Sequence, residues 1–144
     1  MHTFYIFSLK DEFLSLYQDN PKVLFQVLRQ IYYMHLDEVY YGFNLFNQII
    51  NPLKKQELDM LLFLKLHQDY AYVKRSGVHI MNDFYKDEVS RLIVKKTHIK
   101  IETDRYPERF FRTLLLWKNT LFVCDFEQYE YFFLEERNIS NFVN

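Results

Sequence analysis

The chain begins with an apolar stretch in which both alternating sets of side chains are hydrophobic. Phe4 and Ile6 fall on one side of an extended backbone, and Tyr5 and Phe7 fall on the other. Such a run is typical of a strand that is covered on both faces. The pattern therefore predicts a buried β-strand over residues 4–9.

Apolar residues then recur at helical spacing through the first half of the chain. Asn20 before Pro21 is a helix-start signal, because Asn can cap a helix and Pro suits its first turn. Asn51 before Pro52 ends a helix, because the residue before a proline avoids the helical conformation. We predict helices over residues 10–18, 21–34, 37–50 and 53–67.

Beyond Gln68 the spacing changes to the alternation of strands. Ile99 and Ile101 alternate with Lys100 and Glu102, as in an antiparallel sheet with one face in solvent. We predict strands over residues 70–75, 78–81, 91–96, 98–103, 120–125 and 129–134, and a helix over residues 107–118. The polar residues 138–144 are expected to form a flexible tail.

These elements follow one another without a linker, a repeat or a low-complexity tract. A chain of 144 residues is one domain by length. The order of strand, helices, strands, helix and strands is that of an α+β protein. We therefore expect a single domain over residues 1–144, with a mixed, largely antiparallel sheet that is flanked by helices.

Aromatic residues are frequent and glycine is rare, since 15 Phe and 12 Tyr stand beside two Gly. Loops that cradle phosphate groups need clustered glycines, and Gly42 and Gly77 are isolated from each other. Tyrosine is amphipathic and is enriched at protein interfaces. The composition therefore favours a small domain that binds a partner through an aromatic face.

Charge and targeting signals narrow the range of partners. The formal net charge of −1 disfavours a general affinity for nucleic acid, which requires a basic excess. The basic run over residues 95–100, combined with exposed tyrosines, leaves single-stranded nucleic-acid binding as an alternative. The N-terminal segment lacks the regions of a signal peptide, and the apolar run from Met60 to Leu64 is too short to cross a bilayer. We expect a cytoplasmic protein that does not associate with membranes.

No residue pattern predicts a catalytic, cofactor-binding or metal site. The five histidines lack metal-ligand spacing, and none of them lies near the single cysteine. Adjacent carboxylates such as Glu135 and Glu136 diverge and do not form a catalytic dyad, and the serines lack a nucleophile-elbow context. Cys124 lies in an apolar run, so we expect it to be a buried structural thiol.

Two helix faces carry side chains that could contact a partner. Phe13 and Tyr17 are one turn apart on the first predicted helix. Tyr41, Leu45 and Gln48 share a face on the helix before Pro52. Both helices also have a separate apolar side for the core. We therefore interpret these two faces as candidate contact surfaces.

The opening FYIFSLKDEF, followed by Tyr17, resembles the start of the sporulation inhibitor of replication (SirA-like) family of Bacillus-type bacteria. Members of that family open with an aromatic strand, then a Lys-acid-Glu-Phe helix start and a Tyr one turn later. Further similar features are the helix end Ile50-Asn51-Pro52, the strand with Cys124-Asp125-Phe126 and the segment Glu136-Arg137-Asn138.

The resemblance implies an N-acetyltransferase-like architecture without the enzymatic activity. It also implies a non-enzymatic regulator that inhibits DNA replication initiation by binding the N-terminal domain of the initiator DnaA. Phe13 and Tyr17 match the family pattern directly, and helical position adds Tyr41, Leu45 and Gln48 to the implied contact face. An acetyltransferase that uses acetyl-CoA is the enzyme alternative. The turn at residues 103–106 argues against it, because it has no glycine to hold a pyrophosphate.

Overall fold

The computed structural model describes residues 1–34, 39–118 and 120–143, with side chains at all of these positions except 39–43 and 140–143. The elements, in chain order, are β1 (His2–Ser8), α1 (Asp11–Tyr17), α2 (Pro21–Tyr32), α3 (Val39–Ile49), α4 (Lys55–Leu66), β2 (Tyr72–Arg75), β3 (Val78–Asp83), β4 (Glu88–Val94), β5 (Ile99–Thr103), α5 (Glu108–Trp117), β6 (Leu121–Asp125), β7 (Glu130–Phe133) and α6 (Glu136–Val143).

The seven strands form one sheet in the order β2-β3-β4-β5-β1-β6-β7. Every pair of neighbouring strands in this order is antiparallel. The first strand of the chain therefore lies inside the sheet, between β5 and β6, as its two apolar sides predicted. This arrangement confirms the α+β class and the antiparallel sheet with flanking helices.

Two hydrophobic clusters lie on opposite faces of the sheet. On one face, α4, α5 and α6 pack over the strands through residues such as Leu62, Phe111 and Ile139. On the other face, α2 and α3 supply Leu28 and Ile49, among others, to a cluster centred on β1 and β6. The two faces are therefore covered by different sets of helices.

Each predicted helix and strand forms in the described part of the chain, with ends that differ by a few residues. The first two residues of the helix predicted over 37–50 lie outside that part. The hairpin between β4 and β5 closes where expected, with the Lys95 amide donating to the His98 carbonyl at 2.9 Å. β4 begins at Glu88, earlier than predicted. The reason is a buried polar contact, in which the Ser90 hydroxyl bonds both Glu88 (2.9 Å) and Thr103 (2.7 Å). Glu88 and Ser90 face the core although they are polar. This part of the strand therefore lacks the alternation of apolar and polar residues from which a strand is predicted.

Helix α6 occupies most of the segment that we expected to be a flexible tail, and flexibility there stays a prediction. The side chain of Ile139 joins the first cluster and holds the helix against α5. Cys124 is fully buried, which confirms the expectation of a structural thiol, and burial raises the pKa of its thiol well above the ordinary value. Within the described ranges, no helix has the length and apolarity that a membrane span requires.

Candidate partner-binding surface

The connection between β1 and α1 is bonded to the end of α3. The Lys10 amide donates to the Ile49 carbonyl at 2.9 Å, and the Asn51 amide donates to the Ser8 carbonyl at 2.7 Å. The Asn51 side-chain amide adds a bond of 3.0 Å to the Leu9 carbonyl. This junction places the first turn of α1 beside the last turn of α3. The two helices that the sequence singled out are thus neighbours.

Phe13 and Tyr17 form an aromatic pair on α1. Their rings are stacked with centroids 6.3 Å apart. Both side chains are half-buried, because their inner edges pack against the second cluster. No residue of α1 is fully buried, and Leu16 is 69% exposed. The helix therefore lies on the surface and keeps part of both rings accessible.

The second candidate face lies near the end of α3. Leu45 is half-buried and packs against the second cluster, and Gln48, one turn further on, is exposed. Phe46 points inward and meets the Phe7 ring edge-on at 5.4 Å. Tyr41 lies within α3, but its side chain falls outside the part of the chain whose side chains are described. We call Phe13, Tyr17, Leu45 and Gln48 together the α1–α3 surface.

The charged residues beside this surface are few, and most of them are acidic. Asp11 and Glu12 are exposed in the first turn of α1, where carboxylates interact favourably with the helix dipole. Lys10, which precedes α1, donates from its ammonium group to the Asn47 carbonyl at 2.8 Å. An apolar ridge with acidic residues at one end is suited to a partner that offers an apolar groove with a basic edge.

A buried arrangement that no local sequence pattern indicates resembles catalytic machinery. His79 lies between the Tyr72 hydroxyl (2.7 Å from Nδ1) and the Asp59 carboxylate (2.7 Å from Nε2). Burial raises the pKa of Tyr72 to about 12 and lowers the pKa of His79. His79 is fully buried and Tyr72 nearly so, which shields the hydroxyl from a substrate. The arrangement therefore joins α4 to the β2–β3 hairpin and is structural.

An open cleft of about 410 Å³ lies beside the turn considered for acetyl-CoA, and its lining includes Glu88, Arg105 and Arg109. Arg109 is paired with Asp69 (2.9 Å) and with the buried Asp83. Burial alone would raise the pKa of Asp83, but hydrogen bonds from Arg109 and Tyr70 outweigh it and lower the pKa to about 2. Arg109 is thus neutralised by two carboxylates, and the exposed Lys86 and Arg105 are the remaining cations of the lining.

The fold and the surface define a class of protein, namely a small α+β domain that presents half-buried aromatic side chains on its helices. Comparison with known protein families shows which family of this class the chain matches. The family described as sporulation inhibitor of replication protein SirA matches residues 2–137, which is nearly the whole chain. The chain belongs to this family, a regulatory family of replication inhibitors in sporulation rather than a known family of enzymes. A search of curated proteins gave no significant match.

Proposed function

We propose that the protein inhibits initiation of DNA replication by binding the N-terminal domain of DnaA through the α1–α3 surface. The observation that carries the proposal is the stacked, half-buried pair of Phe13 and Tyr17 on a helix that is bonded to the end of α3. Family membership supports a role in replication control. The protein acts in the cytoplasm as a single domain and without catalysis.

The physical basis of binding is the exposed part of the two rings. Interface energy concentrates in a few aromatic anchors that fill pockets on the partner. Because the inner edges of Phe13 and Tyr17 already pack against the second cluster, their rotamers are restricted before binding. A preorganised side chain loses less conformational entropy on association. Leu45 and Gln48 extend the contact, and the amide of Gln48 can supply a hydrogen bond at its rim.

The direct test is a titration of the purified protein with the purified N-terminal domain of DnaA. We expect a complex whose affinity falls when Tyr17 is truncated. In the native host, overexpression should lower the ratio of origin to terminus DNA. An unchanged ratio together with no measurable complex would refute the proposal.

A thermal-shift assay with acetyl-CoA addresses the enzyme alternative. A ligand that binds only the folded state raises the melting temperature. We expect no shift, because Arg109 is already paired with Asp69 and Asp83. A clear stabilisation that Arg105→Gln abolishes would favour an acetyltransferase-like activity instead.

A further inference from the structure

Half of one sheet face has no helix packed on it in the part of the chain that the structure describes. The cluster beneath α1, α2 and α3 takes its strand residues from β1, β6 and β7 and includes none from β2–β5. In β3, β4 and β5, all of the buried residues lie on one side of the strand. Their other side is therefore an antiparallel surface that is open to solvent.

The strand register defines the centre of this surface. Val73 is opposite Ile80 across β2 and β3, and Val78 is opposite Ile93 across β3 and β4. Val73 is 44% exposed, and the other three are partly exposed. Four branched aliphatic side chains therefore form a contiguous apolar patch. We call this patch and its charged border the open sheet face.

The border of the open sheet face is predominantly basic. Arg75 is opposite Val78, Arg91 is opposite Ile80, and Lys100 is opposite Ile93. Lys95 follows Ile93 by two positions on the same side of the chain and is exposed. Glu102 supplies a carboxylate and pairs with Lys100 at 3.9 Å. Asp104 adds a second carboxylate on the same side, where it accepts a hydrogen bond from the Val89 amide at 3.1 Å. Four cations thus accompany two anions on this side of the strands, although the whole chain is nearly neutral.

We propose that the open sheet face binds an acidic amphipathic helix of a protein partner. The apolar side of such a helix would cover the four aliphatic residues, and its carboxylates would meet Arg75, Arg91 and Lys95. A helix of about four turns spans roughly 20 Å, which matches the width of four strands. This surface is separate from the α1–α3 surface, so the inference goes beyond the proposed function.

The charge and chemistry of the face disfavour the other occupants. A second copy of the chain would bring two basic borders together, which is repulsive. A single-stranded nucleic acid requires rings on which bases stack, and the centre of the face carries only Val and Ile. An acidic amphipathic helix is complementary to both parts of the face, because its apolar side covers the apolar centre and its carboxylates pair with the basic border.

The test uses a displayed library of helical peptides, each of about 18 residues. Apolar residues are fixed at positions i, i+3, i+4 and i+7, and the remaining positions are randomised among acidic, basic and neutral residues. We expect selection on the full-length protein to enrich peptides with a negative net charge. Ile93→Thr should weaken the best peptide about tenfold, because it replaces an apolar contact with a hydroxyl. Leu116→Thr, at an exposed apolar position on α5, is the matched control.

Charge reversal gives a second and independent readout. The double variant Arg75→Glu with Lys95→Glu should no longer bind the acidic peptide. It should instead bind a version of that peptide in which each Glu is replaced by Lys. Tyr17→Ala should leave peptide binding unchanged, because Tyr17 belongs to the α1–α3 surface. A failure of the open sheet face to bind peptides can therefore be distinguished from a failure of the proposed function. Circular dichroism verifies that each variant is folded.

Four outcomes would overturn the inference. They are a selection without enrichment, enriched peptides that are not acidic, an affinity that Ile93→Thr does not change, and a charge-reversed variant that keeps its preference. Sedimentation that reveals a dimer disrupted by Ile93→Thr would assign the face to a second copy. The face would be assigned to nucleic acid if the protein bound a single-stranded oligonucleotide but no peptide, and if Arg91→Gln abolished that binding.

Discussion

The backbone amide of Asn51 donates to the backbone carbonyl of Ser8 at 2.7 Å, so the second residue after α3 is bonded to the last residue of β1. The Asn51 side chain also bonds the Leu9 carbonyl and the Ser8 hydroxyl, at 3.0 and 3.3 Å. One residue thus joins the segments from which α1 and α3 extend. The relative position of the two helices depends on this junction.

We expect Asn51→Ala to lower the free energy of unfolding by about 1–2 kcal/mol, because the Leu9 carbonyl loses its side-chain donor. It should also weaken DnaA binding, since α1 becomes free to shift relative to α3. Urea unfolding and the DnaA titration measure the two effects. Asn47→Ala is the matched control, because Asn47 bonds Lys10 only through its backbone carbonyl. Equal behaviour of the two variants would contradict the role given to the junction.

Truncation of Tyr17 tests the partner-binding surface. Tyr17→Ala should cost about 2 kcal/mol of DnaA binding or more, as expected of an aromatic anchor. Ser15→Ala on the same helix should leave affinity unchanged, because Ser15 is two positions from both Phe13 and Tyr17 and therefore lies on the opposite side of the helix. Calorimetric titration gives both values. Intact affinity of a folded Tyr17→Ala protein would move the interface to another face.

Phe13 combines a contact role with a packing role. A fully buried Phe that is changed to Ala loses roughly 3–5 kcal/mol of stability, and Phe13 is only half-buried. We expect Phe13→Ala to lower stability by less than Phe111→Ala, at a residue that is 1% exposed, while weakening DnaA binding more. Denaturant unfolding of both variants provides the comparison. A loss of stability as large as that of Phe111→Ala would place Phe13 in the core.

The ion pair between Arg109 and Asp83 is predicted to be critical for folding. Arg109→Leu leaves the Asp83 carboxylate without its cation, and we expect a clear loss of stability. Arg112→Leu is the control on the same helix, because its pairs with Glu108 and Glu136 are exposed to solvent and should contribute little. Chemical denaturation should separate the two variants clearly. Similar values would show that the Asp83 site is solvated.

Acidification should destabilise the protein through His98. Burial, aided by Lys95 and Lys100, lowers the pKa of His98 from 6.5 to about 4. The folded state therefore binds fewer protons than the unfolded state between these values, so stability falls as pH falls through that window. His98→Leu should flatten the dependence between about pH 6.5 and 4, whereas His67→Leu, at an exposed histidine, should not. Unfolding curves across this range measure the slopes, and parallel curves for His98→Leu and the parent protein would contradict the prediction.

The sequence by itself determined most elements of the fold, because their signals are local, although it did not predict α6. The two apolar sides of residues 4–9 predicted a strand inside a sheet, and Pro21 and Pro52 indicated helix boundaries. The pattern at Ile99 and Ile101 predicted a half-solvated strand, which the burial of both residues confirms. The opening motif and Tyr17 also identified the family, since short-range residue order carries that resemblance.

Only the tertiary structure decided which elements meet. The bond between Ser8 and Asn51, and the pair of Arg109 with Asp83, join residues far apart in sequence, so no local pattern could reveal them. The same holds for the open sheet face, where strand order and register bring Val73, Ile80 and Arg91 into one row. Alternation predicts that a strand has two faces. Which face a helix covers depends on the packing of the whole chain.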